Sequence, residues 1–282
     1  MLAITLGTLA YMAPAASVQR LRLGYFPRCC LLILVMIPGI GREVNGAQRW
    51  LPLGVITLQP SEFAKLAVLL YAAGYLVRQE EAVRHHWSGL AKLIAILSVV
   101  AALLLLEPDF GATVIIVGVV VGMTFLAGAK LVYVLAMLAA AAMALAFLVL
   151  SAPYRMKRLT AYQDPWADPF GSGFQLVQSL IAFGQGEWWG LGWVTASRSF
   201  LFAEAHTDFV FSIWSEETGL IGATAMIALF VMLIARVLNI GWRAAAQQRL
   251  FEAYVCFGAA LMFAGQAFVN MGASSGLLPT KV

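Results

Sequence analysis

Long apolar runs separated by short polar segments make up most of this chain. Runs such as LVYVLAMLAAAAMALAFLVL are apolar on every side and reach the roughly 20 residues that an α-helix needs to cross the hydrocarbon core. A membrane β-barrel would instead alternate apolar and polar residues. The pattern predicts an all-α, polytopic membrane protein with about eight transmembrane helices, at about 1–17, 26–41, 58–77, 88–106, 110–128, 131–151, 209–235 and 250–270.

One long polar and aromatic segment, about 152–208, interrupts this series of spans. It divides the chain into the first six transmembrane helices (1–151), a large extracytoplasmic loop with interfacial segments (152–208) and the last two helices (209–282). Basic residues of the short loops collect on one side, which the positive-inside rule makes cytoplasmic. Most acids then lie at or near the outer face: Glu43, Glu62, Glu107, Asp109, Asp164, Asp168, Glu187, Glu204 and Asp208.

Composition agrees with a membrane protein. The chain is 62% hydrophobic and 11% charged, whereas soluble domains carry about twice that charged fraction. The net charge of +4 predicts no nucleic-acid partner, because basic residues in a membrane protein mostly set its orientation next to membrane lipids. The three cysteines lie in apolar segments, which favours buried thiols over disulfides.

The stretch AEAHTDF, just before the seventh span, concentrates polar chemistry at the membrane surface. In a helix, Glu204 and Asp208 share a face at i, i+4, and carboxylates that close raise each other's proton affinity, which suits a base. His206 either orients one carboxylate, helps to hold a divalent cation, or is simply hydrogen-bonded. Thr207 or Asp208 is also a good helix N-cap, which is the structural alternative.

A basic cluster and several glycines mark the long loop. Arg155, Lys157 and Arg158 lie where a helix leaves the membrane, a position that suits either a phosphate-binding site or a snorkelling interfacial anchor. The glycines either let the backbone approach a ligand or another segment closely or simply reflect loop composition. They are Gly171, Gly173, Gly184, Gly186, Gly190 and Gly192.

Two further acidic pairs lie in or beside the spans. Glu107 and Asp109 flank a short outer turn and are either functional or solvated turn residues. Glu216 and Glu217 lie inside the seventh span, where acids are candidate functional groups. Their alternative is pairing with a polar residue on a neighbouring helix: Gln266 or Asn270.

Several stretches together resemble one family, the SEDS proteins (shape, elongation, division and sporulation), and its cell-division branch most. They are NGAQRWLPLG, LQPSEFAKLA, EPDFGATVII, YRMKRLTAYQDPWADPFGSGFQLVQSLIAFGQGEWWGLG, EAHTDFVFSIWSEETGLIG and NMGASSGLLPTK. The resemblance runs from about Asn45 to the end of the sequence. SEETG departs mildly from the family's usual Glu-Glu-Leu-Gly. Compared with the family's ten spans, the sequence is expected to be a fragment that lacks the first and last transmembrane helices.

The resemblance implies a peptidoglycan glycosyltransferase that polymerises lipid II during cell division. The family's essential aspartate corresponds to Asp208, the expected base, with Glu204 beside it. The resemblance implies that Arg155, Lys157 and Arg158 bind the leaving pyrophosphate. A divalent cation (Mg or Mn) is a possible cofactor, and no residue is assigned as its ligand. The remaining substrate-binding residues are expected to be Gln175, Gln178, Ser179 and His206.

The resemblance also implies partners and a location. We expect a class B penicillin-binding transpeptidase and other division proteins as partners, in the bacterial cytoplasmic (inner) membrane at the division septum. There are two alternatives: a lipid II flippase that uses the same outer cavity, or a non-enzymatic division scaffold for a transpeptidase. A transporter favours repeated halves and access from both faces. No repeat stands out and the acids crowd one face, so polymerisation is preferred.

Overall fold

A computed structural model describes residues 42–44, 47–53, 56–107, 109–151, 162, 164–169, 171, 173–192 and 209–278. The first two predicted spans lie outside these residues. So do six of the predicted site residues: Arg155, Lys157, Arg158, Glu204, His206 and Asp208.

Eight α-helices follow one another in the described chain. They are α1 (Pro60–Arg78), α2 (Glu80–His85), α3 (Ser88–Leu106), α4 (Phe110–Leu126), α5 (Leu131–Leu150), α6 (Phe174–Gly186), α7 (Val210–Ala246) and α8 (Leu250–Ser274). A single 3-10 turn, Pro165–Ala167, precedes α6. The predicted all-α architecture is confirmed, and α1, α3, α4, α5, α7 and α8 correspond to the last six predicted spans.

Length and composition identify the membrane-crossing helices. Within the described residues, α3, α5, α7 and α8 are each long and apolar enough to cross a membrane, and α4 is a shorter apolar helix. The helix α7 continues about eleven residues beyond its predicted end near 235, as far as Ala246. Backbone hydrogen bonding does not require apolar side chains, and the basic residue Arg243 in the last turn suits the negative end of the helix dipole.

Three short strands precede α1, in a segment for which the sequence pattern named no strand. The strands β1 (Arg42–Val44), β2 (Ala47–Leu53) and β3 (Ile56–Leu58) form an antiparallel sheet in the order β1-β2-β3. Glu43 pairs with Gln48 and Pro52 with Thr57. The sheet is a small addition to the helical fold.

The chain divides into two compact units. The first contains residues 1–134 and 239–259, and the second contains 135–238 and 260–282. In the first unit α1 packs against α3 and α4, with α3 against α4. Its fully buried apolar side chains include Leu76, Leu90, Leu93, Leu104, Val120, Met123 and Phe257. Interlocking of large side chains therefore forms this core.

Candidate functional site in the second unit

Two successive turns lead from the long loop into α6. The Asp164 backbone carbonyl accepts a hydrogen bond from the Ala167 amide (3.3 Å), and the Asp168 carbonyl accepts from the Gly173 amide (3.1 Å). A side chain at Gly173 would overlap the Pro165 carbonyl, so this position needs glycine. The described residues 164–169, 171 and 173 therefore form a tight entry to α6.

The helix α6 carries the three predicted substrate-binding residues that the structure describes. Ser179 is fully buried, and its hydroxyl donates to the Ser274 carbonyl (2.6 Å), so its side chain ties α6 to α8. Gln175 and Gln178 are half-buried. Gln185, which the sequence reasoning missed, lies on the same side as these glutamines by helical spacing. The roles of all three predicted residues in substrate binding stay predictions.

Further contacts involve a residue that precedes α6 and the C-terminal part of α6 itself. The Tyr162 hydroxyl donates to the Leu277 carbonyl (2.8 Å), beyond the end of α8. The rings of Phe183 and Phe211 pack at 5.5 Å between centroids, which joins α6 to the start of α7. At the C-terminal end of α6 the backbone is so close that a side chain at Gly186 would overlap the Ser215 carbonyl.

The helix α7 is broken at Gly219. This residue has φ 69° and ψ −167°, a backbone conformation that suits glycine and interrupts a helix. The break separates a short first segment, Val210–Thr218, from a long second segment that begins at Leu220. A helix end leaves its last carbonyls and first amides without partners inside the helix, so the break exposes two sets of backbone polar groups.

The turn Glu187–Gly192, which follows α6, supplies acceptors for the second segment. The Leu220 amide donates to the Glu187 carbonyl (2.8 Å), and the Ile221 amide donates to the Trp188 carbonyl (3.3 Å). Two of the amides that the break exposes are satisfied in this way. We call Glu187–Gly192 the inserted turn.

The inserted turn also supplies donors for the first segment. The Leu191 amide donates to the Glu216 carbonyl (2.9 Å), and the Gly192 amide donates to the Glu217 carbonyl (3.1 Å). The contact is close, because a side chain at Gly190 would overlap the Glu217 carbonyl. The sequence prediction that glycines permit close approach to another segment is confirmed at Gly186 and Gly190.

One side chain bridges the break directly. The Trp214 indole N–H, in the first segment, donates to the Gly222 carbonyl (2.9 Å) in the second segment. Sequence reasoning missed both this bridge and the break. The available signal was a set of glycines, Gly190, Gly192 and Gly219, within otherwise apolar or aromatic stretches.

The acids of the first segment differ in exposure. The Glu216 side chain is 1% exposed, whereas Glu217 is half-buried. Within the described ranges, no group of three or more His, Cys, Asp or Glu side chains is arranged to hold a metal ion. The predicted base and its neighbours lie outside those ranges, so the possible divalent cation stays a prediction.

Acids of the first unit have structural partners of their own. The Asp109 carboxylate accepts from the Ala112 amide (3.1 Å), and so caps the N-terminus of α4. Glu107 is 4% exposed, which contradicts the alternative of a solvated turn residue. The buried Lys65 ammonium pairs with the Glu62 carboxylate (2.6 Å) one turn away.

Comparison with curated proteins shows similarity that extends over most of the chain. The chain is 53% identical over 252 residues to a protein of Legionella pneumophila, covering 89% of this chain and 64% of that protein. It is 47% identical over 282 residues to a protein of Allochromatium vinosum, covering 99% of this chain and 71% of that protein. Both relatives are named "Probable peptidoglycan glycosyltransferase FtsW". The chain thus spans just under two thirds of the Legionella protein.

Solved structures give the same relationship. One structure is described as "Structural coordination of polymerization and crosslinking by a peptidoglycan synthase complex". It matches with a TM-score of 0.77 and 30% sequence identity, and the match covers 99% of this chain and 77% of that chain. Another is the rod-shape-determining protein RodA of Thermus thermophilus, with a TM-score of 0.64 and 28% sequence identity. This match covers 94% of our chain and 70% of the RodA chain. The family profile FTSW_RODA_SPOVE, described as "Cell cycle protein", matches residues 1–281. The chain therefore belongs to the FtsW/RodA/SpoVE family of integral membrane cell cycle proteins, the SEDS family that its motifs resemble.

Proposed function

We propose that this chain is the catalytic part of a peptidoglycan glycosyltransferase that polymerises lipid II into glycan strands during cell division. The observation that carries the proposal is the 47–53% identity to FtsW glycosyltransferases over most of the chain. We further propose that it acts in the bacterial inner membrane at the septum. A class B transpeptidase is the proposed partner, because the matched synthase complex combines polymerisation with crosslinking.

The proposed reaction needs a base and a stabilised leaving group. The C4 hydroxyl of one lipid II attacks the anomeric carbon of the growing chain, so a glycosidic C–O bond forms as the bond to the pyrophosphate oxygen breaks. Asp208, assisted by Glu204, takes the hydroxyl proton, and undecaprenyl pyrophosphate leaves. Arg155, Lys157 and Arg158 offset its negative charge. A divalent cation would add positive charge there, and no step depends on it.

The broken helix favours this reading over a lipid II flippase. In many transporters, the free ends of broken helices coordinate substrates and ions near the middle of the membrane. Here backbone groups of the inserted turn already bond to both ends, at Glu216 and Glu217 on one side and at Leu220 and Ile221 on the other. Because these backbone groups already bond to the inserted turn, they are not available to coordinate a substrate or an ion. This favours a catalytic site with one fixed geometry over a transport site.

Polymerisation of labelled lipid II tests the proposal. The protein is purified with its transpeptidase, and glycan is measured for the unmodified protein, Asp208→Ala and Asp164→Ala, with and without a chelator. Asp164 is an exposed acid of the same outer loop and serves as the matched control. We expect Asp208→Ala to abolish glycan synthesis and Asp164→Ala to retain it.

Other results would separate the alternatives. Glycan formed at the unmodified rate by a folded Asp208→Ala protein would support the N-cap reading of Asp208 and contradict its role as base. An unmodified protein that moves lipid II across vesicles without forming glycan would support the flippase. A protein that does neither but stimulates its transpeptidase would support the scaffold.

A further inference from the structure

The inserted turn and Trp214 form a connection whose purpose the proposed reaction does not by itself explain. A helix that merely crosses a membrane has no need of a break, since every backbone group is satisfied by continuing the helix. Here the break at Gly219 is retained, and five hydrogen bonds support its surroundings: four from the inserted turn and one from Trp214. An arrangement that departs from a continuous helix and is supported in this way calls for a role of its own.

The geometry points to that role. We infer that the inserted turn and Trp214 set the position of the first segment of α7, and that Gly190, Gly219 and Trp214 are positioning residues for the catalytic site. The catalytic part of this inference rests on the proposed function. The structural part, a locked break, stands on the hydrogen bonds alone.

The position of the break relative to the predicted base supports the inference. Asp208 precedes Val210, the first residue of α7, by two positions, and the first segment Val210–Thr218 ends at the break. This segment is short, about two and a half turns. Its direction is therefore set by its two ends, and the end at Gly219 is the one that the inserted turn holds. A shift at Gly219 would displace the start of the segment at Val210, which follows Asp208 by two positions in the sequence.

The inserted turn also links the first segment of α7 to α6, the helix with the predicted substrate-binding residues. The inserted turn begins where α6 ends, and α6 carries Gln175 and Gln178. Phe183 packs on Phe211, and the close backbone contact at Gly186 adds a second link between α6 and the first segment. The helix that carries the predicted substrate-binding glutamines therefore packs directly on the first segment of α7. Preorganised positioning of this kind lowers the barrier of a two-substrate reaction.

Two glycines of the inserted turn provide a matched test. Gly190 (φ 78°) and Gly192 (φ 81°) both adopt a left-handed backbone, so alanine strains either position similarly. A side chain at Gly190 would overlap the Glu217 carbonyl, whereas one at Gly192 meets nothing within 4 Å. A larger effect of Gly190→Ala than of Gly192→Ala therefore reports disruption of the close contact, because the backbone strain is similar in the two variants. Gly184→Ala, in α6 and also in open space, controls for the substitution itself.

Hydrogen–deuterium exchange tests the locked break without any assay of activity. In the unmodified full-length protein with its transpeptidase, we expect the amides of Leu191, Gly192, Leu220 and Ile221 to exchange slowly. Gly190→Ala should speed their exchange, and Gly192→Ala should leave them more protected than Gly190→Ala does. Fast exchange in the unmodified protein would overturn the inference, whether or not the protein polymerises lipid II.

Polymerisation kinetics test the positioning role. Because misplacement by about 1 Å can cost roughly 100-fold in rate, we expect Gly190→Ala to lower kcat by up to about 100-fold and to change KM little. Gly192→Ala should retain more activity than Gly190→Ala, and Gly184→Ala should match the unmodified protein. Equal kcat values for Gly190→Ala and Gly192→Ala would overturn the positioning role. An unmodified protein without glycan synthesis would instead refute the proposed function and leave the exchange result intact.

Trp214→Phe covers the case in which Gly190→Ala does not fold. It retains an aromatic ring but removes the N–H that donates to Gly222, together with part of the ring volume. Loss of one hydrogen bond changes an opening equilibrium by roughly fivefold, so we expect about that much faster exchange at Leu220 and Ile221 and a lower kcat. Unchanged exchange and unchanged kcat would contradict the role assigned to Trp214.

Discussion

The helices of the first unit and those around the inserted turn are held by different kinds of contact. Leu76, Leu104 and Val120 are completely buried in the first unit, where apolar packing dominates. Around the break of α7, backbone amides and carbonyls of two segments bond directly to each other. Packed side chains tolerate exchanges of similar volume, whereas direct backbone contact tolerates no added Cβ atom. Substitution should therefore affect the two regions in different ways.

Substitution of Gly219 should give the largest effect. Alanine there would adopt a left-handed backbone and would bring its Cβ atom to 2.5 Å from backbone atoms of Trp188 and Gly190. We expect Gly219→Ala to lower the free energy of unfolding by more than about 4 kcal/mol, measured by thermal unfolding in detergent. The control is Gly118→Ala in α4, where a side chain meets nothing within 4 Å. Equal free energies of unfolding for Gly219→Ala and Gly118→Ala would show that the close backbone contact at Gly219 does not limit stability.

Truncation in the apolar core of the first unit should come next. Leu104→Ala removes a fully buried side chain and should cost about 2–5 kcal/mol in the free energy of unfolding. Leu104→Met conserves volume and should cost less than about 1.5 kcal/mol. Thermal unfolding of the three proteins measures both values. A Met variant as unstable as the Ala variant would show that packing volume is not what holds this region.

The hydroxyl of Ser179 should contribute less than a core leucine. Ser179→Ala leaves the buried Ser274 carbonyl without this donor and should cost about 1–3 kcal/mol. Thr224→Ala is the control, because that exposed hydroxyl bonds only to carbonyls of its own helix, and its effect should stay within about 0.5 kcal/mol. Chemical denaturation in micelles compares them. If Ser179→Ala keeps stability but raises KM for lipid II, the predicted substrate contact is the better account.

The cap at Asp109 should have the smallest effect. Asp109→Ala removes the acceptor for the Ala112 amide and should cost about 0.5–2 kcal/mol. Asp109→Asn keeps an acceptor at the same place and should retain most of the stability. Thermal unfolding measures the difference. A stable Asn variant that loses glycan synthesis would show that the charge of Asp109 has a role beyond capping.

Some features of the site were predictable and others were not. The ends of α3, α4 and α5 follow from uninterrupted apolar runs, because helix length is set by the membrane. The cap at Asp109 was not recognised as such, although an aspartate one residue before an apolar helix is a common cap. The sheet β1–β3 was missed because strands of three to seven residues give only a short pattern.

The sequence by itself determined the membrane helices and, through extended motifs, the family, whereas the role of Asp208 as base stays a prediction. These depend on local composition and on residue order, which a single chain displays directly. Only the tertiary structure decided that α7 is broken, that Glu187–Gly192 fills the break and that Ser179 bonds to Ser274. Each of these joins residues far apart in the chain, and a glycine in an apolar run gives no sign of which backbone will approach it.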